Sequence, residues 1–524
     1  MTNPVPASSL KTRVVCINPN LVLQRNDLFT TGVVYMPIGL AYFASTLQTI
    51  GYPCKVVDAF GENPNQYWKE GDFIFRGLLP SEIVAQINNN AGETPLKIIF
   101  VYAINLTYHQ STINIIKQIR ASFPKISIAV LENSQAVTAY SLEDIQNEFY
   151  DAGANYVVIG EPEQRGIALI KHIDGQCEDD DLLNIDGIGF KQENGSGYTA
   201  AVKKINDLDS LPIPAWELFP LHNYWKLKYA HGPLSANRYL PMLTSRGCPY
   251  ACRFCVIPKT NNLKWRARSA THVVDEMEHW VKKLDIREFH FEDVDPTVNN
   301  KRTQEICLEI IKRKLKIRWK ICSGTKVETI KSEKTIELMA QAGCCYISIS
   351  PESGSPRIMK KLNKPFNYEH AVKLIKKMND VGIYSQACFV LGFPGEDDDD
   401  RELTRKMVYD LAKVGVSEIA QFIITPVPGS DIFEKFSGYS DYSQLTFSPT
   451  WRHDFNEINQ FRVKLYGEFL WWKLRFHPFS ILKQPFNFLF RKFNTKMEMT
   501  PYRALHMALM LKGFIGYKIQ RENH

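Results

Sequence analysis

The sequence predicts an α/β protein in three parts: an N-terminal doubly wound (Rossmann-like) sheet, a partial (β/α)6 barrel of the TIM type, and a C-terminal helical region. Three observations support this prediction. Short apolar runs alternate with helical patterns in the first third of the chain, as in parallel βαβ units. Six more regular repeats follow a turn-rich connection, and the end of the chain is basic and aromatic.

Length and composition set the limits of the interpretation. The 524 residues exceed one ordinary domain, and 44% hydrophobic residues are enough to exclude wholesale disorder. The sequence contains no apolar run long enough to span a membrane and no N-terminal signal pattern. We therefore expect a cytoplasmic protein whose eleven cysteines are thiols, metal ligands or core residues rather than disulfides.

The first domain is predicted at residues 1–176. Strand patterns at 13–18, 54–58, 97–101, 126–130 and 156–159 are separated by helical patterns such as 38–50 and 111–122. Strands that alternate with helices form an open parallel sheet, and such sheets bind ligands beyond the carboxyl ends of their strands. Weak periodicity and turn signals over 177–238 indicate a linker.

The barrel is predicted at residues 239–430. Its strands are expected at 240–244, 288–292, 318–322, 346–350, 386–391 and 419–425, and its helices at 271–284, 301–314, 333–342, 369–381 and 401–414. Gly343, Gly382 and Gly415 each follow a helix, where a left-handed cap is favoured. Barrels of this kind carry their chemistry on the loops after the strands.

A three-cysteine motif follows the first barrel strand. Cys248, Cys252 and Cys255 have the spacing Cys-x3-Cys-x2-Cys, so three thiolates on one loop can bind one soft metal centre. A closed zinc site needs four ligands, and three favour an iron–sulfur cube with one open iron. The alternative is a zinc site completed by a distant histidine such as His231 or His290.

The cysteines and their flanks, Arg246-Gly247-Cys248-Pro249-Tyr250-Ala251-Cys252-Arg253-Phe254-Cys255, resemble the radical S-adenosylmethionine (SAM) superfamily. The resemblance covers nearly all of residues 239–426. It implies that the three cysteines hold a [4Fe–4S] cluster, where SAM is cleaved reductively to a 5′-deoxyadenosyl radical. It also implies an external electron donor of the flavodoxin or ferredoxin type.

The same resemblance implies SAM contacts at later strand ends. Glu292 or Asp293 is expected near the SAM amino group, which requires hydrogen-bond acceptors. Phe254 is expected to pack near the adenine, and the strand that ends at Gly392 to offer its backbone. The other implied cofactor contacts are Ser323, Thr325, Lys326 and Glu352.

A doubly wound domain ahead of such a barrel resembles the cobalamin-binding (B12-binding) class of this superfamily, which includes methyltransferases and the anaerobic magnesium-protoporphyrin ester cyclase. Residues 36–42, Met-Pro-Ile-Gly-Leu-Ala-Tyr, and Gly160-Glu161 also match that class. The resemblance implies cobalamin as a further cofactor. However, residues 131–135, Leu-Glu-Asn-Ser-Gln, replace the usual Gly-Gly-x-His, and their side chains would crowd the cobalamin tail.

This class implies C-methylation or cyclisation at an unactivated carbon of a small-molecule or lipid-like biosynthetic substrate. Two alternatives remain open: a radical rearrangement or oxidation without cobalamin, and a non-enzymatic metal-binding scaffold. An RNA-modifying methylthiotransferase is disfavoured, because Cys16, Cys54 and Cys177 do not occupy the strand-end positions of that family's N-terminal domain. The sequence identifies no catalytic residue.

The C-terminal region, predicted at 431–524, carries the net charge. From residue 451 onward, thirteen Lys and Arg accompany five Asp and Glu and sixteen aromatic residues, whereas the first 450 residues have a net charge of only −1. Such a segment could contact a membrane surface, bind single-stranded nucleic acid, or simply pack on the barrel. Because the α/β domains are nearly neutral, we expect no nucleic-acid partner, while packing on the barrel and peripheral contact with the inner membrane face both stay open.

Overall fold

The computed structural model describes residues 11–89, 94–176, 182–192 and 195–521; Cys177 lies outside these residues. The N-terminal part contains the following elements in chain order: β1 (Arg13–Asn18), β2 (Leu21–Gln24), α1 (Ile38–Thr49), β3 (Cys54–Asp58), α2 (Ala59–Glu62), β4 (Tyr67–Glu70), β5 (Phe73–Arg76), α3 (Pro80–Asn88), β6 (Leu96–Ala103), α4 (His109–Ser122), β7 (Ser127–Glu132), α5 (Leu142–Ala152), β8 (Tyr156–Val158), α6 (Pro162–Ile173), β9 (Ile188–Gln192) and β10 (Gly195–Tyr198).

Five parallel strands form the main N-terminal sheet, in the order β8-β7-β6-β1-β3. Within β1, Val14 and Cys16 join one buried core while Val15 and Ile17 join another. A strand buried on both faces must be apolar throughout, as in sheets covered by helices on both sides. The strand order reverses at β1, so the ligand site of this fold is expected beyond the carboxyl ends of β1 and β6.

The predicted fold class is confirmed. The apolar strands and the helices at 38–50 and 111–122 occur within two residues of their expected bounds. Part of the segment assigned to the linker also belongs to the sheet, because antiparallel β9 and β10 extend it beyond β8. These two strands are polar and rich in glycine, so periodicity did not reveal them. A small antiparallel sheet, β2-β5-β4, was also not predicted, because each of its strands has only four residues.

The second part of the chain forms the barrel: α7 (Leu221–Leu227), β11 (Tyr239–Met242), β12 (Ser245–Arg246), α8 (Ile257–Asn261), β13 (Arg266–Ala267), α9 (Ala270–Leu284), β14 (Glu288–Phe291), α10 (Asn300–Lys312), β15 (Arg318–Thr325), α11 (Glu333–Gln341), β16 (Cys344–Glu352), α12 (Pro356–Lys361), α13 (Tyr368–Asp380), β17 (Tyr384–Leu391), α14 (Asp398–Lys413) and β18 (Glu418–Ile423). All six predicted strands are present.

The barrel strands are parallel in the order β11-β14-β15-β16-β17-β18. Each is followed by a helix or loop that returns over the outer face, which brings all six carboxyl ends to one rim. Gly343, Gly382 and Gly415 have φ values of +88°, +78° and +96°, which confirms the left-handed positions expected after α11, α13 and α14. This rim carries the cysteine loop.

The C-terminal region is helical: α15 (Phe455–Phe476), α16 (Pro478–Leu482), α17 (Gln484–Phe490) and α18 (Lys496–Arg521). It packs on both preceding parts. Lys496 Nζ donates to Cys322 O of the barrel at 3.1 Å, and Tyr67 Oη of the N-terminal part donates to Leu511 O at 3.4 Å. Phe493 is buried and donates its backbone N–H to Leu234 O at 2.6 Å. Among the described residues, none of the helices combines the length and apolar character needed to cross a bilayer.

Candidate functional site

The three cysteines lie on the loop between β12 and α8, and all three are partly buried. Burial raises the pKa of Cys248 and of Cys255 to about 12, and it also raises the pKa of Cys252. Such thiols ionise near neutral pH only when a cation stabilises the thiolates. The loop is therefore chemically suited to bind a metal centre rather than to supply a free nucleophile.

The number of thiols on the loop favours a cluster over a single ion. A structural zinc ion takes four protein ligands, whereas an iron–sulfur cube can take each of three thiolates at a different iron and leave one iron open. Within the part of the chain that the structure describes, a separate group, His290, Glu292 and Cys322, has ligand atoms that all lie within 4.8 Å of one another.

The histidines considered for a zinc site have other partners. His231 Nδ1 lies 2.6 Å from Glu292 Oε2, and His290 Nε2 lies 2.9 Å from Glu288 Oε1. Each histidine is therefore paired with a carboxylate rather than with the cysteine loop. With both histidines engaged in this way, the three cysteines fit an iron–sulfur cluster better than a four-ligand zinc site.

Buried ion pairs hold the start of the cysteine loop against the N-terminal sheet. Arg246 Nη2 donates to Glu163 Oε1 at 2.6 Å, and Arg266 Nη2 donates to Glu161 Oε1 at 2.6 Å. All four side chains are at least nine-tenths buried. Burial opposes ionisation of Glu161, but the two arginines outweigh it and lower the pKa of that carboxyl to about 2. Gly160-Glu161 thus connects the two domains.

The segment that departs from the cobalamin-class pattern also contacts the cysteine loop. Gly247 donates its backbone N–H to Gln135 Oε1 at 2.9 Å, and Gln135 Nε2 donates to Asn261 Oδ1 at 3.2 Å. Asn261 in turn donates to Ser134 O at 2.6 Å. Residues 134 and 135 therefore fix the start of the cysteine loop at Gly247 and the last residue of α8, the helix that follows the loop.

The two acidic residues that follow β14, Glu292 and Asp293, have different hydrogen-bond partners. Asp293 is fully buried and accepts hydrogen bonds from the backbone and hydroxyl groups of Thr244 and Ser245. These bonds hold its carboxylate at Thr244 and Ser245, just before the cysteine loop. The expected contact of Asp293 with SAM stays a prediction. Glu292 faces the interior and accepts from Ser323 Oγ at 2.6 Å as well as from His231.

Glu292 stays ionised despite its surroundings. Burial alone would raise the pKa of its carboxyl, but His231 and Ser323 lower the pKa overall. Of the two residues considered, Glu292 is the one whose charge faces an open space at the strand ends. This arrangement favours Glu292 for binding a cationic group.

Glu352 has a strained backbone. Its φ is +61°, a left-handed value that costs roughly 1–2 kcal/mol for a residue other than glycine, and the pairing register with β17 shifts there. Its carboxylate is paired with the buried Lys364 ammonium, which lies 5.7 Å from the centre of the Phe254 ring. Strain of this kind is retained where the surrounding structure fixes a functional side chain.

Phe254 and Gly392, both expected near the adenine, lie in one neighbourhood. The Phe254 ring meets the Phe393 ring edge to face at 5.6 Å. Gly392 has a φ of +80°, and its carbonyl accepts from Arg452 Nη2 at 3.0 Å. Burial raises the pKa of Glu396, which accepts the Gly392 N–H, to about 7.

The two polar residues at the end of β15 lie beside the cysteine loop. Lys326 Nζ lies 5.1 Å from the ring centre of Tyr250, a residue of that loop. Thr325 Oγ1 donates to Asp295 Oδ1 at 2.6 Å, and burial raises the pKa of Asp295 to about 6. These contacts bring the third strand end to the first, as expected for one rim of a barrel.

A cavity of about 60 Å³ lies between the two α/β domains and is lined by residues of both. The N-terminal sheet contributes Asn105, Asn133 and Gln135, which follow β6 and β7, and the barrel contributes Glu292 and Ser323. The cavity therefore lies at the carboxyl ends of both sets of strands, next to the strand-order reversal. Its polar lining is mainly amide, hydroxyl and imidazole.

Sequence reasoning missed several members of this site. Lys364, Asp295 and Glu163 were not identified, and Gln135 was noted only as a departure from a pattern. A lysine in a loop and an acid in the first turn of a helix look like exposed charges in a sequence. No local pattern indicates that folding buries them.

The chain is similar in sequence to known proteins. Residues 242–408 match the family described as the Radical SAM superfamily. The chain is 26% identical to cytidylyl-2-hydroxyethylphosphonate methyltransferase of Streptomyces wedmorensis, across 84% of this chain and 85% of that protein. It is 31% identical to the anaerobic magnesium-protoporphyrin IX monomethyl ester cyclase of Rubrivivax gelatinosus, across 53% of this chain and 48% of that one.

The fold is also similar to two sets of solved structures. The radical SAM methyltransferase TsrM from Kitasatospora setae, with tryptophan substrate and the SAM analog aza-SAM bound, gives a TM-score of 0.62 at 16% identity and covers 80% of this chain and 75% of its own. OxsB with aqua-cobalamin bound gives 0.60 at 17% identity and covers 87% and 57%. At these identities the likeness concerns the fold.

Proposed function

We propose that this chain, which carries a radical SAM domain over residues 242–408, is a cobalamin-dependent enzyme that methylates or cyclises an unactivated carbon of a small biosynthetic substrate. The supporting observation is that the cysteine loop, the strained Glu352 and the cavity between the domains share one end of the barrel. When bound, the cluster and SAM supply a hydrogen-abstracting radical, and cobalamin supplies the methyl group.

The residues of the rim have distinct proposed roles. Cys248, Cys252 and Cys255 hold the cluster as thiolates. Glu352, held by Lys364, and Glu292, held by His231, orient the polar groups of SAM. Phe254 packs against the adenine, and the backbone at Gly392 forms the edge of that pocket. Ser323, Thr325 and Lys326 complete the polar rim at the end of β15.

The cobalamin part of the proposal is supported by the location and lining of the cavity. Asn105, Asn133 and Gln135 present amides at the strand ends where doubly wound sheets bind ligands, and amides pair well with the amide side chains of a corrin ring. A corrinoid is much larger than the cavity. Its binding therefore requires side chains on the N-terminal side of the cavity, such as Tyr35 and Met36, to move aside.

One observation favours a second candidate, a radical rearrangement or oxidation without cobalamin. The positions where the class carries glycines are filled here by Glu132, which is buried and accepts Leu142 N–H at 2.8 Å, and by neighbours that bind the cysteine loop. Such a packed segment could stabilise the cluster domain instead of a cofactor tail. The two candidates share every step at the cluster.

The substrate of either candidate is a small molecule, and the enzyme needs a reductant. We propose that a flavodoxin or ferredoxin supplies the electron, that the protein acts in the cytoplasm, and that its C-terminal region contacts the inner membrane face. These proposals concern partners outside the chain. They do not alter the assignment of the rim residues.

Anaerobic reconstitution tests the proposed function. We expect about four irons per chain and release of 5′-deoxyadenosine when the reconstituted protein is reduced with SAM. A titration with hydroxocobalamin, followed by its visible spectrum after gel filtration, separates the two candidates. No 5′-deoxyadenosine would overturn both, whereas 5′-deoxyadenosine without retained corrinoid would favour the second.

A further inference from the structure

Helices α16 and α17 expose an unusual set of large apolar side chains. Five residues within twelve positions have between 59% and 75% of their surface in solvent: Phe479, Leu482, Phe486, Leu489 and Phe490. We term these five side chains the exposed apolar surface. Soluble surfaces carry single exposed apolar residues without consequence, but a contiguous group of this kind marks an interaction site.

Helix α17 exposes more apolar side chains than an ordinary surface helix, although its Phe488 packs inward, 5.9 Å from the Tyr502 ring. An amphipathic helix normally turns its apolar side toward the protein. Here the polar Asn487 faces inward and donates to Glu498 Oε1 at 3.2 Å, whereas Phe486, Leu489 and Phe490 face outward. The exposed apolar side is therefore a property of how the helix is docked.

The two short helices continue each other. They meet at Lys483, whose φ of −76° and ψ of −23° are helical. The exposed apolar positions consequently follow at intervals of three and four residues, which places them along one side of a helical rod. A rod of this kind presents one apolar stripe rather than scattered contacts.

The charges around this stripe have one sign. Between Glu468 and Glu498 the chain carries six Lys and Arg and no Asp or Glu. Lys483, Arg491 and Lys492 are all exposed beside the stripe. A protein partner with a mixed surface would meet unpaired cations here, whereas an anionic lipid surface complements them throughout.

From the exposed stripe and its cations we infer that α16 and α17 bind the surface of an anionic phospholipid bilayer. The five apolar side chains enter the headgroup region, and Lys483, Arg491 and Lys492 contact lipid phosphates. The helices lie in the plane of the interface, because each is far too short to span a bilayer. This inference concerns the surface of the protein and does not depend on the proposed chemistry.

Vesicle flotation of the full-length protein tests the inference. We expect the protein to float with vesicles of phosphatidylcholine and phosphatidylglycerol and to remain behind with phosphatidylcholine alone. The triple variant F479S/F486S/F490S should lose binding by a factor on the order of a thousand, since burial of each phenyl group accounts for roughly tenfold in partitioning. The variant K483Q/R491Q/K492Q should bind less and lose most of its salt dependence.

A matched triple variant controls for loss of exposed apolar surface in general. L308S/I311S/L403S changes three exposed side chains on α10 and α14, and it should float like the unaltered protein. Circular dichroism and the thermal melting temperature report whether each variant is folded, without reference to activity. Equal losses in both triple variants would overturn the inference.

Other outcomes are equally decisive. Equal flotation with neutral vesicles would contradict the role of the three cations. Failure to float, combined with a concentration-dependent dimer that F479S/F486S/F490S dissociates in sedimentation, would mean that the stripe is an interface between copies. Flotation of a protein that makes no 5′-deoxyadenosine would support this inference while overturning the proposed function.

Discussion

The backbone N–H of Gly247 donates to Gln135 Oε1 at 2.9 Å, across 112 positions of the chain. Gly247 immediately precedes Cys248, and Gln135 lies in the segment where the cobalamin class usually carries Gly-Gly-x-His. The residue that departs from the cobalamin-class pattern therefore contacts the loop that carries the three cysteines. Through this hydrogen bond the N-terminal domain positions the cysteine loop.

Replacement of Gln135 tests this link. Gln135→Ala leaves the buried Gly247 N–H without its acceptor, which costs roughly 1–3 kcal/mol and loosens the loop. We expect loss of the cluster absorbance under chelator to become severalfold faster. Gln146→Ala is the matched control, because this buried amide donates to Glu143 O and accepts from Tyr150 Oη, both within the N-terminal domain. Equal rates in both variants would contradict the link.

The cluster ligands are tested one by one. Cys252→Ala should abolish the visible absorbance of the reconstituted cluster, because two thiolates hold a cube poorly. Cys345→Ala removes another partly buried thiol, in β16, and should leave the absorbance unchanged. A normal spectrum in Cys252→Ala would mean that the ligands are misassigned.

The pair Glu352–Lys364 makes a prediction about SAM affinity. Glu352→Gln removes a charge that, by our proposal, meets SAM, and a charge-assisted hydrogen bond contributes about 1.5–3 kcal/mol, so the dissociation constant should rise roughly tenfold or more. Equilibrium dialysis with radiolabelled SAM measures it. Asp397→Asn alters an exposed carboxyl near the same rim, paired with Arg357, and should leave affinity unaltered. Unchanged affinity in Glu352→Gln would remove that residue from the site.

Most of the fold was predictable because the barrel repeats are regular. Buried parallel strands require continuous apolar runs, and glycine after a helix has a specific conformational reason, so β14 to β18 lie close to their expected positions. The cysteine loop was predictable from spacing alone. Contacts such as Lys364 with Glu352, or Gln135 with Gly247, join residues on different loops. No periodicity within either loop encodes the other.

A pH dependence follows from Asp58, which is buried at the end of β3. Burial raises the pKa of its carboxyl from 3.8 to about 6, although Asn18, Gly61 and Tyr224 donate to it and act in the opposite direction. A raised pKa in the folded state means that stability is greatest below about pH 4 for this group. That contribution is lost as the pH rises through about 6.

Asp58→Asn should remove this dependence. Between pH 5 and pH 8 the free energy of unfolding of the unaltered protein should fall by about 1–3 kcal/mol more than that of the variant, measured by urea denaturation at each pH. Asp151→Asn, at a side chain that is 79% exposed, should follow the unaltered protein. Parallel curves for Asp58→Asn would show that Asp58 does not titrate in this range.

The last prediction concerns the contact between the domains, which two kinds of ion pair cross. Arg246 with Glu163 is buried, whereas Lys259 with Asp144 is about one-third exposed. Glu163→Gln removes the carboxylate that accepts from Arg246 and leaves Glu161, at 3.5 Å, as its remaining charge partner, which should cost about 1.5–3 kcal/mol. Asp144→Asn breaks a pair of similar length, 2.6 Å, that water screens, and should cost less than about 1 kcal/mol. Urea denaturation measures both.

Because Arg246 directly precedes the cysteine loop, Glu163→Gln should also lower the iron content after reconstitution, and Asp144→Asn should not. Equal and small effects of the two substitutions would mean that the domains are held together by apolar packing rather than by the buried arginines.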